Sequence, residues 1–208
     1  MNETLFCDGM PIEYVSDTAR LNTLCVEWGA EQFLAVDTEF ERTSTFYARI
    51  GLLQIADSRC CYLVDPLCID DWSGFKQLLS TPSCTLVMHS CSEDLSLLQT
   101  FLGCLPISLF DTQLAAAFLG IGFSISYQGL IEQLLSVVVA KDETRSDWIK
   151  RPLSDKQIHY AAADVRYLLQ VREILSKQIE SKGMANWLRA ECKQQLVSAD
   201  RLEQKSQW

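Results

Sequence analysis

Phe33-Leu-Ala-Val-Asp-Thr38, Ile50-Gly-Leu-Leu-Gln-Ile-Ala56 and Cys60-Cys-Tyr-Leu-Val64 follow one another in the N-terminal part of the chain. Each is a short apolar run rich in strand formers. Asp57-Ser58, between the last two, reads as a turn. Strands joined by so short a link pair in sequence, so an antiparallel meander is expected. Working outward, residues 17–29 read as a helix opened by Ser16 or Asp17 and closed near Gly29. Beyond Asp65-Pro66 the pattern alternates: helix 72–80, strand 84–89, helix 93–102, strand 107–110, helix 111–119. Alternation of this kind favours an α/β sheet covered on both faces.

From about residue 127 the chain reads as helical, with one long segment over 155–181. Ser154-Asp-Lys-Gln157 has the form of a capping box at its start, and Gly183 follows its end. A last helix is expected over 184–197, leaving 198–208 as a polar tail without a core of its own. No internal repeat or domain boundary is visible, so one domain over 1–197 is expected.

Bulk composition narrows the class. The chain has 208 residues, 48% hydrophobic and 22% charged, which suits one folded domain and excludes wholesale disorder. Charges interrupt every apolar run before the ~18 residues of a membrane span. The N-terminus has neither a basic region nor an apolar stretch of the kind that directs secretion. The nine cysteines include no Cys-x-x-Cys pair, and only His89 and His159 could assist them, which argues against a zinc site. Free, reduced, mostly buried thiols are expected instead, consistent with a cytoplasmic protein. A net charge of −9 weighs against unaided binding of a long polyanion. A cluster of metal-holding carboxylates would itself supply negative charge, and a basic rim can sit on an acidic body.

Several acids and one phenol are placed to meet. Asp37 and Glu39 lie two apart at the end of a strand and share a face. Tyr160 and Asp164 lie four apart in a helical stretch and stack on one side. Asp94 opens another helix; Glu93 beside it is turned about 100° away, so only one of the two can face a shared point. Carboxylates gathered around a phenol suit the chemistry of a divalent-cation phosphodiesterase. Taken singly, each residue has a plainer reading: Asp37 and Glu39 as turn-forming or solvated acids, Tyr160 as a core or rim aromatic.

Further candidates stay open between structural and functional roles. His89, ending an apolar strand, suits a satisfied core histidine as well as a substrate contact. Asp111-Thr-Gln113 at a strand-to-helix junction is most simply an N-cap. Phe40 to Arg49 interleaves Arg42, Phe46, Tyr47 and Arg49, which suits base stacking and phosphate contact or a plain meander loop. Lys141, Arg145, Lys150 and Arg151 flank Asp147-Trp148 as a basic rim or a solvated charge run. Gly120-Ile-Gly122 is too isolated to be a dinucleotide-binding loop.

Three stretches taken in order, Asp37-Thr-Glu-Phe40, His89-Ser-Cys-Ser-Glu-Asp-Leu95 and Tyr160-Ala-Ala-Ala-Asp164, resemble the motifs of the DnaQ-like 3'-5' exonucleases, in the tyrosine-containing DEDD subgroup and its ribonuclease D family. Arg42 to Gln54, Phe110-Asp-Thr-Gln113, Ser146-Asp-Trp148 and Arg151-Pro-Leu-Ser154 extend the likeness over roughly 12–195. The resemblance implies a ribonuclease H-like mixed sheet flanked by helices, with a helical C-terminal portion. It implies two Mg²⁺ or Mn²⁺ ions: Asp37 bridging them, Glu39 and Asp164 on the ion that carries water, and Asp94, selected over Glu93 by motif register, supporting the second. Tyr160 would orient the attacking water. Phe40, Arg42, Gln54, His89, Asp111, Arg145 and Trp148 would contact substrate. The implied partner is an RNA 3' end, in a transfer RNA precursor or a short RNA, with short oligoribonucleotides, DNA or non-catalytic RNA binding as alternatives. That family continues into C-terminal HRDC helical domains, and none is expected within this sequence.

Overall fold

The computed structural model describes residues 5–41, 48–139 and 146–206. In chain order its elements are β1 (Leu5–Cys7), β2 (Met10–Val15), α1 (Thr18–Trp28), β3 (Phe33–Glu41), β4 (Arg49–Ala56), β5 (Cys61–Val64), α2 (Ser73–Leu79), β6 (Thr85–Met88), α3 (Ser92–Leu102), β7 (Leu109–Asp111), α4 (Thr112–Phe118), α5 (Tyr127–Leu135), α6 (Asp155–Arg166), α7 (Leu168–Ser181) and α8 (Ala185–Ser206). The strands form one mixed sheet in the order β1-β2-β5-β4-β3-β6-β7. β3, β4 and β5 pair antiparallel as the expected meander, whereas β6 and β7 join β3 in parallel. Parallel pairing follows from the connections: α2 and α3 carry the chain across between strands.

Both faces of the sheet are covered. Successive β5 residues show it: the Cys61 thiol meets the Ala162 carbonyl of α6, and the Tyr62 ring packs edge-on against Trp28 of α1, 5.2 Å between centroids. On the first face α6 presents fully buried Ala161 and Ala162. Side chains this short let the helix lie close to β3, β4 and β5. Cap chemistry sets the helix starts: Asp17 accepts from the Ala19 N–H, and the Ser154/Gln157 capping box opens α6.

Three features depart from expectation. The hairpin of β1 and β2, turned through Asp8 and Gly9 with φ of 44° and 79°, adds an edge absent from the sequence reading. Its strands are short and β2 contains Pro11, which weakens any strand signal. The segment over 155–181 is two helices, broken at Tyr167. Here the Tyr127 hydroxyl enters the helix ladder: it donates to the Ala163 carbonyl at 2.7 Å and accepts from the Tyr167 N–H at 3.3 Å. Those two backbone groups would otherwise bond to each other, so the inserted phenol accounts for the break. Finally, α8 continues to Ser206 through the stretch expected as a polar tail. Leu188, Cys192 and Ala199 repeat at helical spacing on its buried side, and Gln99 of α3 bonds Asp200 at 3.2 Å.

Candidate active site

The acidic cluster gathers where β3 passes beyond its neighbour β6. Parallel pairing of β3 with β6 covers Phe33 to Ala35 only, so the following residues have an open edge on that side. The start of α3 occupies it. Thr38 donates its hydroxyl and its backbone N–H to the Asp94 carboxylate. Asp94 is therefore turned inward, 9% exposed, while adjacent Glu93 is exposed. Asp37 and Glu39 project from β3 on the face that α6 covers, with Asp37 opposite Gln54 and Glu39 opposite Leu52 in register. From α6, Tyr160 hydrogen-bonds Asp164, itself 8% exposed.

Burial and like charge set the protonation of these groups. Burial, then the charges of Asp94, Asp164 and Glu39, hold Asp37 well above the usual carboxylate range. Burial with Asp164 and Asp94 pushes Glu39 up to about 9. Burial raises Asp164 to about 7 against the Tyr160 hydrogen bond, and Asp94 to about 6 against the Thr38 bonds. Burial and the negative charges of Asp164, Glu39 and Asp37 raise the Tyr160 phenol, which stays protonated at neutral pH. Among the described residues, no three His, Cys, Asp or Glu side chains already form a ready coordination shell. The donor set is hard and all-oxygen, and its raised protonation is relieved by positive charge, so it fits a hard divalent cation.

The remaining candidates divide. Trp148, expected at the substrate, is 1% exposed and sealed in the core, its ring 6.1 Å from that of Tyr160. Gln54 is wholly buried, with both ends of its amide lacking a partner among the described residues. His89 spends both ring nitrogens inside the protein, Nδ1 with Thr112 Oγ1 at 2.9 Å and Nε2 with the Ile125 carbonyl at 3.1 Å. Burial lowers its pKa, and both ring nitrogens are satisfied within the protein. Asp111 is the α4 N-cap, bonded to Gln113 N at 2.8 Å and Leu114 N at 3.2 Å, and it also takes the Gln195 amide at 2.9 Å. Phe40, half-buried, packs against the core just past a register shift in β3. Arg42, Phe46, Tyr47, Lys141 and Arg145 lie outside the described residues. Lys150 is exposed, but Arg151 is no free rim cation: it is ion-paired to Asp65 at 2.6 Å. Thr38 and Tyr127 carried no signal of their own, since each acts on a residue distant in sequence.

A mixed sheet of this order, with paired acids on a central strand facing a helical Tyr and Asp, defines the class as a ribonuclease H-like exonuclease domain. The family model described as 3'-5' exonuclease matches residues 12–180, and the chain belongs to that family. It is 45% identical over 184 residues to a ribonuclease D of Pseudomonas paraeruginosa, covering 88% of this chain and 49% of that protein. Ribonuclease D of Escherichia coli is 41% identical over 181 residues, 87% of this chain and 48% of that one. The crystal structure of Escherichia coli RNase D, described as an exoribonuclease involved in structured RNA processing, superposes with a TM-score of 0.89 at 38% identity, covering 92% of this chain and 51% of that chain. This chain thus spans about half the length of the curated relatives it matches. Among the described residues no helix is long and apolar enough to cross a membrane.

Proposed function

We propose that this chain is a divalent-cation-dependent 3'-5' exoribonuclease that releases 5'-mononucleotides from RNA 3' ends, in transfer RNA precursors or short RNAs. The observation that carries the reading is the burial of Asp37, Glu39, Asp94 and Asp164 beside a protonated Tyr160, close enough that the charges of Asp94 and Asp164 raise both Asp37 and Glu39. Buried acids that raise one another's pKa form a site that is completed by positive charge. Two Mg²⁺ or Mn²⁺ ions held by these four carboxylates would neutralise the scissile phosphate and lower the pKa of a bound water. The chain's own groups do the aiming. Thr38 fixes Asp94, and α6 holds Asp164 and Tyr160 one turn apart. The Tyr160 hydroxyl donates to Asp164, which leaves its oxygen to accept from the attacking water and direct that water's lone pair. A phenol this reluctant to ionise orients and does not act as the base.

A gel time course on 3'- and 5'-labelled RNA and DNA oligomers, with and without Mn²⁺, tests the proposal. Shortening of 5'-labelled RNA one nucleotide at a time, dependent on Mn²⁺ and abolished by EDTA, is expected. Cleavage that begins at the 5' end, or that persists in EDTA, would refute it; preference for DNA or very short oligomers would revise the substrate alone.

A further inference from the structure

The guanidinium of Arg151 uses all five of its N–H donors inside the protein. Nε donates to Asp65 Oδ2 at 2.6 Å and Nη2 to Asp65 Oδ1 at 2.7 Å. Nη2 also donates to the Gly51 carbonyl at 2.6 Å, while Nη1 donates to the carbonyls of Trp148 at 2.8 Å and Lys150 at 3.0 Å. A guanidinium has five donors in a fixed fork, so none is left for a phosphate. Its anchor is equally committed. Asp65, just past β5, is 1% exposed and also accepts the Tyr14 hydroxyl from β2. Arg151 therefore ties the backbone of the 148–151 stretch to three strands of the sheet.

The segment so held carries Trp148. Gly51 admits it: a Cβ there would lie 2.6 Å from the Trp148 carbonyl oxygen and 2.7 Å from its Cβ. The Trp148 ring stands 6.1 Å from the Tyr160 ring, tilted 38°. A second tether runs from the Gln157 amide, in the first turn of α6, to the Asp147 carbonyl at 3.1 Å. One turn further along α6, the Tyr160 ring rests against this assembly.

We propose that Arg151 is a positioning residue for Tyr160: clamped between Asp65 and Gly51, it holds the Trp148 ring as the wall that sets the direction of the phenolic hydroxyl. The role rests on the exonuclease reading and on Tyr160 orienting the attacking water. Lysine in place of Arg151 keeps the charge but offers three donors from a single point, so it cannot hold Asp65, Gly51 and the loop together.

A double-mutant cycle in steady-state hydrolysis of 5'-labelled RNA with Mn²⁺ tests it, using Arg151→Lys, Tyr160→Phe and both. Arg151→Lys is expected to lower kcat by ~10- to 100-fold through misplacement of the hydroxyl. KM and the Mn²⁺-induced rise in melting temperature are expected to hold. In the Tyr160→Phe background the same substitution is expected to change kcat by less than ~2-fold, because the hydroxyl it aims is gone. Asp65→Asn, which keeps the shape and the Tyr14 bond, should repeat the pattern and decides the matter if Arg151→Lys does not fold. An equal loss in both backgrounds, or an unchanged kcat in Arg151→Lys, would overturn the positioning role. Full activity in Tyr160→Phe would also overturn it while leaving the exonuclease reading intact. No hydrolysis by the unsubstituted protein would overturn that reading and this role with it.

Discussion

Neutralising one acid of the cluster should make the metal-free protein more stable, and only where that acid is ionised. In Asp164→Asn the amide oxygen still accepts from Tyr160, but the charge is gone. Burial raises Asp164 from 3.8 to about 7, so the folded state keeps this proton to higher pH than the unfolded chain. Between those two values the folded form binds more protons, and stability falls as pH rises. Starting from pH 5 and passing the folded value near 7, about two pH units of that fall remain, or ~3 kcal/mol at 1.36 kcal/mol per unit. For a chain of this size ~1 kcal/mol moves Tm by about 2–4 °C, so the predicted effect is on the order of 5–10 °C. The assay is a thermal melt in EDTA at pH 5 and pH 8. The unsubstituted protein should lose stability between the two, and Asp164→Asn should lose that much less, because Glu39 is also relieved of a neighbouring charge. Added Mn²⁺ should raise the Tm of the unsubstituted protein at pH 8 and do little for the variant. A variant that melts below the unsubstituted protein by the same margin at both pH values would refute the electrostatic reasoning.

Other perturbations follow from single contacts. Thr38→Val keeps the shape but removes the hydroxyl bond to buried Asp94, which should cost ~1–3 kcal/mol in urea unfolding and weaken Mn²⁺ binding measured by calorimetry. Tyr127→Phe withdraws the hydroxyl inserted between Ala163 and Tyr167, with a loss of ~1–2 kcal/mol in the same assay and a fall in turnover, since Asp164 adjoins the break. Gly51→Ala drives a Cβ against Trp148 and should lower stability by ~1–3 kcal/mol; a neutral result would show that the 148–151 stretch yields freely.

What could be read from the residues alone was whatever short-range periodicity controls. β3, β4 and β5 announce themselves as apolar runs, and Asp17, Ser154 and Gln157 mark helix starts by side-chain oxygens that satisfy nearby N–H groups. The same local rules put Asp37 with Glu39 and Tyr160 with Asp164, because spacings of two and four fix a face within one element. The choice of Asp94 over Glu93 agrees with its inward turn, although the reason, Thr38, lies 56 residues away. Features hidden from such reading have distant causes. The break at Tyr167 depends on a hydroxyl 40 residues earlier, and the fate of Arg151 on an acid 86 residues earlier. A cation beside a tryptophan reads as part of a basic rim or a solvated charge run until its partner is known, and for Arg151 that partner is Asp65. The continuation of α8 was legible in the spacing of Leu188, Cys192 and Ala199 but masked by the polar residues between them.

The proposed role of the carboxylates gathered around Asp37 is to hold the cations that drive the hydrolysis. Its most direct test is the initial rate of 5'-mononucleotide release from RNA in Mn²⁺ by Asp37→Ala, with folding verified by its melt. Loss of turnover by ~10³-fold or more is predicted, as expected when a metal-holding charge in a preorganised site is removed. Turnover equal to that of the unsubstituted protein would contradict that role.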